Sequence, residues 1–317
     1  MKPKSEFKNR LYRQFNKLPA VCVGALLLCL VVAPSPAQTY KILHTFGTNV
    51  MGQYPNSTLV QGPDGALYGT ASSGGVANRG QVFKVNPDGT GYIALKDFTG
   101  SDGAYPYAGL VLSGATLYGT TGNGGTNDNG TVFKLNTDGT GFAVLHQFAG
   151  QPMDGAWPGA QLTLSGTTLY GTTGGGGAFG NGTVFKLNTD GTGFTVLKHF
   201  TGNIDGGWPS SGLMLSGTTL YGTANGGGAF WNGTVFKINT DGSGFAVLRS
   251  FNGSSDGGGP AGDLVLLGTT LYGTTSGGGI SAEALAAFLD DAVWDAWRVA
   301  CGLPPLETSA GRAGPVQ

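Results

Sequence analysis

Three times the chain writes an aspartate, two small residues, an aromatic ring and a proline: "DGAYP" from Asp102, "DGAWP" from Asp154 and "DGGWP" from Asp205. A fourth phrase, "DGGGP" from Asp256, keeps both ends and loses the ring, and "GQYP" puts Tyr54 at the matching place in the first unit. A ring beside a carboxylate suits a carbohydrate, because rings stack on the apolar faces of sugars while a carboxylate accepts from their hydroxyls. The expected contact set is Tyr54, Tyr105, Trp157 and Trp208 with Asp102, Asp154 and Asp205. Phe179, Phe230 and Trp231 join it from glycine-rich stretches further along each unit. Each position also has a structural reading, in which the ring packs on a neighbouring element and Asp-Gly caps a turn.

Other chemistry is thinly supplied. No glutamate falls between Gln38 and Ile280, and the only histidines are His44, His146 and His199. Their recurrence in one segment of each unit points to strand packing or exposure rather than catalysis. HExxH and CxxC are both missing, and "TGGGGAFGNG" lacks the Lys-Ser/Thr ending of a phosphate loop. "NTDGTGF" resembles the Asp-box turn of sialidase-type propellers but offers about three oxygens where a calcium loop gathers six to eight, so we read a turn. Polar residues that break the repeat (Arg79, Asp97, Asp128, Arg249 and Asp263) are scattered. No cofactor or metal is expected, and a non-catalytic role is favoured over an enzyme.

The elements that position these residues come from a long period. The tyrosine of "LYGT" recurs at Tyr68, Tyr118, Tyr170, Tyr221 and Tyr272, at intervals of 50, 52, 51 and 51. The second unit contains "GLVLSG", "ATLYGTT", "GTVFKLN" and "GFAVLHQF", four short runs of β-branched and aromatic residues bounded by turn formers. "SG" and "TDGTG" link them as hairpin turns whose residues tolerate positive φ. Four antiparallel strands per period of about 50 residues describe a β-propeller blade, whose two apolar faces only neighbouring blades can cover. Complete blades are expected near 58–98, 109–148, 160–200 and 211–251. "YKILHTF" (Tyr40–Phe46) matches a fourth strand and "DLVLLGTTLYGTT" (Asp263–Thr275) a first and second, so both ends share a fifth blade. The expected fold is thus all-β, a propeller of about five blades, with a β-solenoid as the alternative. Because strand directions alternate, the aromatic phrases and the glycine-rich connections share one face.

The stretch "LYGTTGGGGAFGNGTVFKLNTDGTGFTVL" (Leu169–Leu197) closely resembles the GloVer tandem repeat of secreted bacterial proteins with varied C-terminal anchors, and the resemblance covers nearly all of residues 40–279. It implies export, repetition and surface association, and no catalytic residues. "LYGT…GTVFKLNTDG" is also faintly similar to streptogramin-lyase-type propellers, which implies the runner-up function, a lyase or hydrolase acting on a polysaccharide or small cyclic substrate. That type leans on His, Glu and metal chemistry, which this body lacks.

Residues 1–37 form an expected signal peptide: six basic residues, the apolar run Ala20–Val32, and "APSPAQ" with a cut after Ala37. Its removal leaves 11 basic against 17 acidic residues, a net charge near −6. Nucleic acid is disfavoured as a partner, no stable membrane span is expected after cleavage, and Cys301 alone makes no internal disulfide. An extracellular glycan or surface protein fits better, in a secreted, periplasmic or surface location. After the repeat region (38–279), residues 280–302 have the spacing of an amphipathic helix and 303–317 that of a disordered tail. A helix cannot replace a missing third strand, because a ~9.6 Å gap between second and fourth strands exceeds hydrogen-bonding reach. Either the N-terminal strand slides inward, the ring stays open, or the repeat is broken by a frameshift near Ile280.

Overall fold

A computed structural model describes residues 41–46 and 52–278. The expected signal peptide, C-terminal helix and tail lie outside the described residues. Within these residues the chain is all-β, and its first sixteen strands fall into four consecutive four-stranded antiparallel sheets. Blade 1 contains β1 (Val60–Gln61), β2 (Leu67–Ala71), β3 (Gln81–Val85) and β4 (Ile93–Asp97). Blade 2 contains β5 (Val111–Ser113), β6 (Thr116–Thr121), β7 (Thr131–Asn136) and β8 (Ala143–Gln147). Blade 3 contains β9 (Thr163–Ser165), β10 (Thr168–Thr173), β11 (Thr183–Asn188) and β12 (Thr195–His199). Blade 4 contains β13 (Met214–Ser216), β14 (Thr219–Ala224), β15 (Thr234–Asn239) and β16 (Ala246–Ser250). Each sheet pairs its strands in chain order.

The signature words follow from the packing. The glycine of "LYGT" stands opposite the phenylalanine of "VFK" in every blade, as Gly119 opposite Phe133 shows. A Cβ at Gly119 would sit 2.6 Å from the Phe133 ring, so the missing side chain makes room for a fully buried one. "TDGTG" closes the outer hairpin as a local hydrogen-bonded turn. Asp138 Oδ1 accepts from the Thr140 amide at 2.8 Å and from its hydroxyl at 2.7 Å, and Asp88, Asp190 and Asp241 repeat the pattern. The carboxylate is engaged by its own turn, as the turn reading expects.

The core lies between blades. Phe98 of blade 1 packs with Leu110, Leu117, Phe133 and Leu135 of blade 2, and Phe148 and Phe200 do the same one and two units later. Burying each such ring contributes about 2–3 kcal/mol, so a single blade would leave both faces wet. A bulge in each complete blade adds to the seam. Register shifts between the third and fourth strands at Val132/Phe133, and at the same place in the other three blades. In the first three blades the extra residue is Leu95, Leu145 or Leu197, and it faces the turn of the next blade at Gly139, Gly191 or Gly242, whereas in the fourth it is the exposed Leu248.

At the inner edges, residues just ahead of successive first strands meet. Thr58 Oγ1 donates to Gln161 Oε1 across 103 positions at 3.3 Å, Gln161 Nε2 donates to the Leu110 carbonyl at 3.0 Å, and the Gly212 amide donates to Asp263 at 2.6 Å. Contact between blades 1 and 3 at this edge means that the blades converge, as in a β-propeller, whereas a solenoid would keep them apart.

The last unit is partial. β18 (Val265–Leu267) pairs with β19 (Thr270–Tyr272), while β17 (Gly258–Pro260) pairs with β20 (Thr275–Gly277). The expected second strand is therefore interrupted at Gly273–Thr274. At the other end, Leu43 lies beside blade 1 as Leu95 lies beside blade 2: a Cβ at Gly89 would stand 2.5 Å from the Leu43 carbonyl oxygen. Residues 43–46 thus occupy a fourth-strand position relative to blade 1, although no ladder joins them to another strand among the described residues.

Candidate functional site

The repeated aspartate and the repeated aromatic have different surroundings. Asp154 is 7% exposed. Its Oδ1 accepts from the amides of Ala149 (2.8 Å), Gly150 (3.0 Å) and Gly155 (2.8 Å), and its Oδ2 lies 2.8 Å from His146 Nε2. Asp205 pairs with Lys198 at 2.7 Å and caps the turn at Thr201, and Asp102 does the same with Lys96 and Thr99. Asp256 holds Arg249 at 2.6 Å. Burial works against each of the first three charges, but the basic side chain and the donors of the turn outweigh it and hold Asp102, Asp154 and Asp205 below the usual carboxylate range. These aspartates, expected to meet ligand hydroxyls, have their lone pairs engaged within the fold.

The cations they hold form the seam. Lys96 lies 4.5 Å from the Phe142 ring centroid of the next blade, Lys198 lies 4.5 Å from Phe245, and His146 stacks on Phe194 at 3.7 Å. His44 stacks on Tyr92 at 4.1 Å in the same place. In sequence Met51 stands where the other units carry the aspartate, and His44 Nε2 is buried without a hydrogen-bond partner among the described residues. His199 accepts from the Ala178 amide at Nδ1.

The aromatics before proline are held differently. Tyr54, Tyr105, Trp157 and Trp208 all have left-handed backbone, with φ of 55°, 55°, 58° and 55°. Bulky residues seldom adopt this conformation, and each instance costs about 1–3 kcal/mol. The fifth unit meets the same demand with glycine: Gly259 has φ 62°. The geometry therefore belongs to the repeat, and the rings are additions to it. The backbone is clamped from both sides, since the Trp157 amide donates to the Asn129 carbonyl of the preceding blade at 2.9 Å and its carbonyl accepts from Gly174 at 3.0 Å. Trp208 repeats this with Asn181 and Asn225. The following prolines fill the seam: a Cβ at Gly130 or Gly182 would stand 2.6 Å from Pro158 or 2.7 Å from Pro209.

The side chains remain open to solvent. Tyr54 is 64%, Trp157 55% and Trp208 48% exposed, while Tyr105 is half-buried. One edge of the Trp157 indole lies over Gly175 and one of Trp208 over Gly226, where a Cβ would stand 2.6 Å and 2.5 Å from the ring. Each indole is a fixed platform with a free surface.

A second left-handed position lies on the same face, in the connection between second and third strands. It holds Asn78, Asp128, Gly180 and Trp231. Asn78 and Asp128 justify their conformation by capping the loop at the amides of Gly74 (3.0 Å) and Gly124 (2.8 Å). An indole cannot accept such a bond, yet Trp231 takes the same φ and is exposed, beside exposed Phe230 and the equivalent Phe179. The structure thus puts all seven expected aromatics on one face. Sequence reasoning missed Tyr107, exposed and nearly parallel to Tyr105 at 6.4 Å. Its signal was a third aromatic in "AYPY", where the other units carry a small or polar residue.

Among the described residues no group of three His, Cys, Asp or Glu side chains is placed to hold a metal ion, and no helix is long and apolar enough to cross a membrane. The fold and its face define a tandem-repeat module built from propeller-type blades. The chain belongs to the Gloeobacter/Verrucomicrobia repeat family, whose pattern matches residues 30–151 and 112–286. No curated relative matches it. Solved structures similar to the chain include one from a nidogen/laminin complex (17% identity, TM-score 0.45, covering 68% of this chain and 70% of that one). Others are a putative TolB from Agrobacterium tumefaciens (12%, 0.43, 64% and 67%) and TolB from Acinetobacter baumannii (13%, 0.41, 68% and 51%). The architecture rests on the sheets and seams described above.

Proposed function

We infer that this chain is an exported, non-catalytic repeat module that binds a glycan or protein partner through the aromatic face of a five-bladed propeller. The fifth blade would combine β18, β19 and β20 with the N-terminal segment ending at Phe46. Export rests on the leader-like residues 1–37, and a secreted, periplasmic or surface location follows from it. One observation carries the binding reading: exposed tyrosines and tryptophans occupy positions whose backbone favours glycine, and Gly259 shows that the repeat tolerates glycine there. Strain retained without a folding need is a mark of functional positions. Rigid exposed rings on one face suit stacking against sugar rings or a partner's apolar side chains.

The test is retention of the full chain on insoluble polysaccharides and on washed cell envelopes, comparing wild type with the Trp157→Gly/Trp208→Gly variant. The expected result is binding that falls at least tenfold in the variant. Equal retention of the two proteins, or turnover of a polysaccharide by the wild type, would remove this reading.

A further inference from the structure

The face is not uniform. In three of the four complete blades the residue before the third-strand glycine is asparagine: Asn129, Asn181 and Asn232. Asn181 and Asn232 turn their amides inward to loop carbonyls, as in the 2.9 Å bond from Asn181 Nδ2 to Thr201. The first blade has Arg79 instead. The same mouth, between blades 1 and 2, carries Tyr105 where the first unit has Tyr54 and later units have tryptophan, and it adds Tyr107. Two departures from the repeat, Arg79 and Tyr107, thus meet beside Tyr105.

Their geometry is specific. Arg79 is exposed, and its Nη1 donates to the Tyr105 hydroxyl at 3.0 Å while the guanidinium lies 5.5 Å from the Tyr105 ring centroid. The cations of the fourth strands, Lys96, His146, Lys198 and Arg249, are each matched to a carboxylate; Arg79 has no such partner among the described residues. Its remaining N–H groups form a planar fork, the shape that matches a carboxylate or sulfate. The Tyr105 hydroxyl accepts from Arg79, which leaves its own proton to donate to the same anion. Tyr107 adds a nearly parallel exposed ring beside it.

We propose that Arg79, Tyr105 and Tyr107 form a subsite for the carboxylate or sulfate of an acidic glycan, with the tryptophans of the later blades contacting its sugar rings. This rests on the glycan-binding reading of the face and names the class of ligand. The proposal predicts charge selectivity localised to one mouth, on a chain whose mature net charge would otherwise repel an anionic polymer.

The experiment measures affinity electrophoresis of the full chain in gels containing polygalacturonate, its methyl ester, dextran sulfate or dextran. Wild type should bind polygalacturonate about tenfold tighter than the ester, the worth of one charge-assisted fork. Arg79→Asn, which installs the residue of the other blades, should erase that ratio, with the larger loss falling on polygalacturonate. Tyr105→Phe should reduce the ratio about threefold. Preference for dextran sulfate over dextran without retention on polygalacturonate, also lost in Arg79→Asn, assigns the subsite to sulfate. A ratio unaffected by Arg79→Asn, or no retention by either anionic polymer, overturns the proposal. Trp157→Gly/Trp208→Gly separates the two claims. It should weaken acid and ester alike at a constant ratio; an Arg79-dependent ratio with no overall weakening would sink the platform reading and keep the subsite.

Discussion

Every unit repeats two conspicuous side chains a few residues apart, and the fold treats them in opposite ways. Asp154 is buried, saturated by three amides and a histidine, and tied through that histidine to the next blade. Trp157, three residues on, is half-exposed on strained backbone and rests on a glycine. Repetition alone says nothing about role. A residue whose partners lie inside the fold is repeated because every seam needs it. A residue held against its own backbone preference is repeated for something outside the fold.

The comparison breaks first at the aspartate. Asp154→Ala should cost about 3–5 kcal/mol in equilibrium unfolding, because three buried amides and His146 lose their acceptor together. A loss below 1 kcal/mol would mean that the turn is not a structural node. Gly182→Ala should come close behind at about 3 kcal/mol. Its φ of 91° disfavours a side chain, and the new Cβ would meet the Thr173 carbonyl and Pro209. Thermal unfolding of that variant tests whether the glycine–proline contact holds blades 3 and 4 together.

Acid should weaken the same network. Asp102, Asp154 and Asp205 have folded pKa values below the unfolded value of about 3.9, so their contribution is complete above that pH and is lost as pH falls through the folded values. Unfolding midpoints measured from pH 6 to pH 2 should drop steeply below about pH 4, and Asp154→Ala should lessen that drop. A midpoint that stays level to pH 2 would show that the pairs contribute nothing. Smaller still, Phe194→Leu should cost about 1 kcal/mol by removing the ring on which His146 stacks.

Much of this was legible in the sequence. The strands of all four complete blades fall inside the boundaries drawn from the "LYGT" period, and the alternation of turns correctly put the aromatics and the glycine-rich connections together. The seams were not legible. Lys96 meets Phe142 and His146 meets Phe194 across nearly one whole period, and no local pattern announces a contact at that separation. The aspartates were assigned to a ligand because a carboxylate beside a ring looks the same in sequence whether it faces water or a lysine. The left-handed backbone of Trp157 was equally hidden. Only "DGGGP", with Gly259 in the ring's place, hinted that the position favours glycine.

The central claim is that the exposed aromatics are unnecessary for folding, and equilibrium unfolding of Trp157→Gly/Trp208→Gly tests it most directly. Relief of left-handed strain should offset the packing of two half-buried indoles, so the variant should unfold within about 1 kcal/mol of wild type. A loss of more than about 3 kcal/mol would show that the tryptophans are structural and contradict the account.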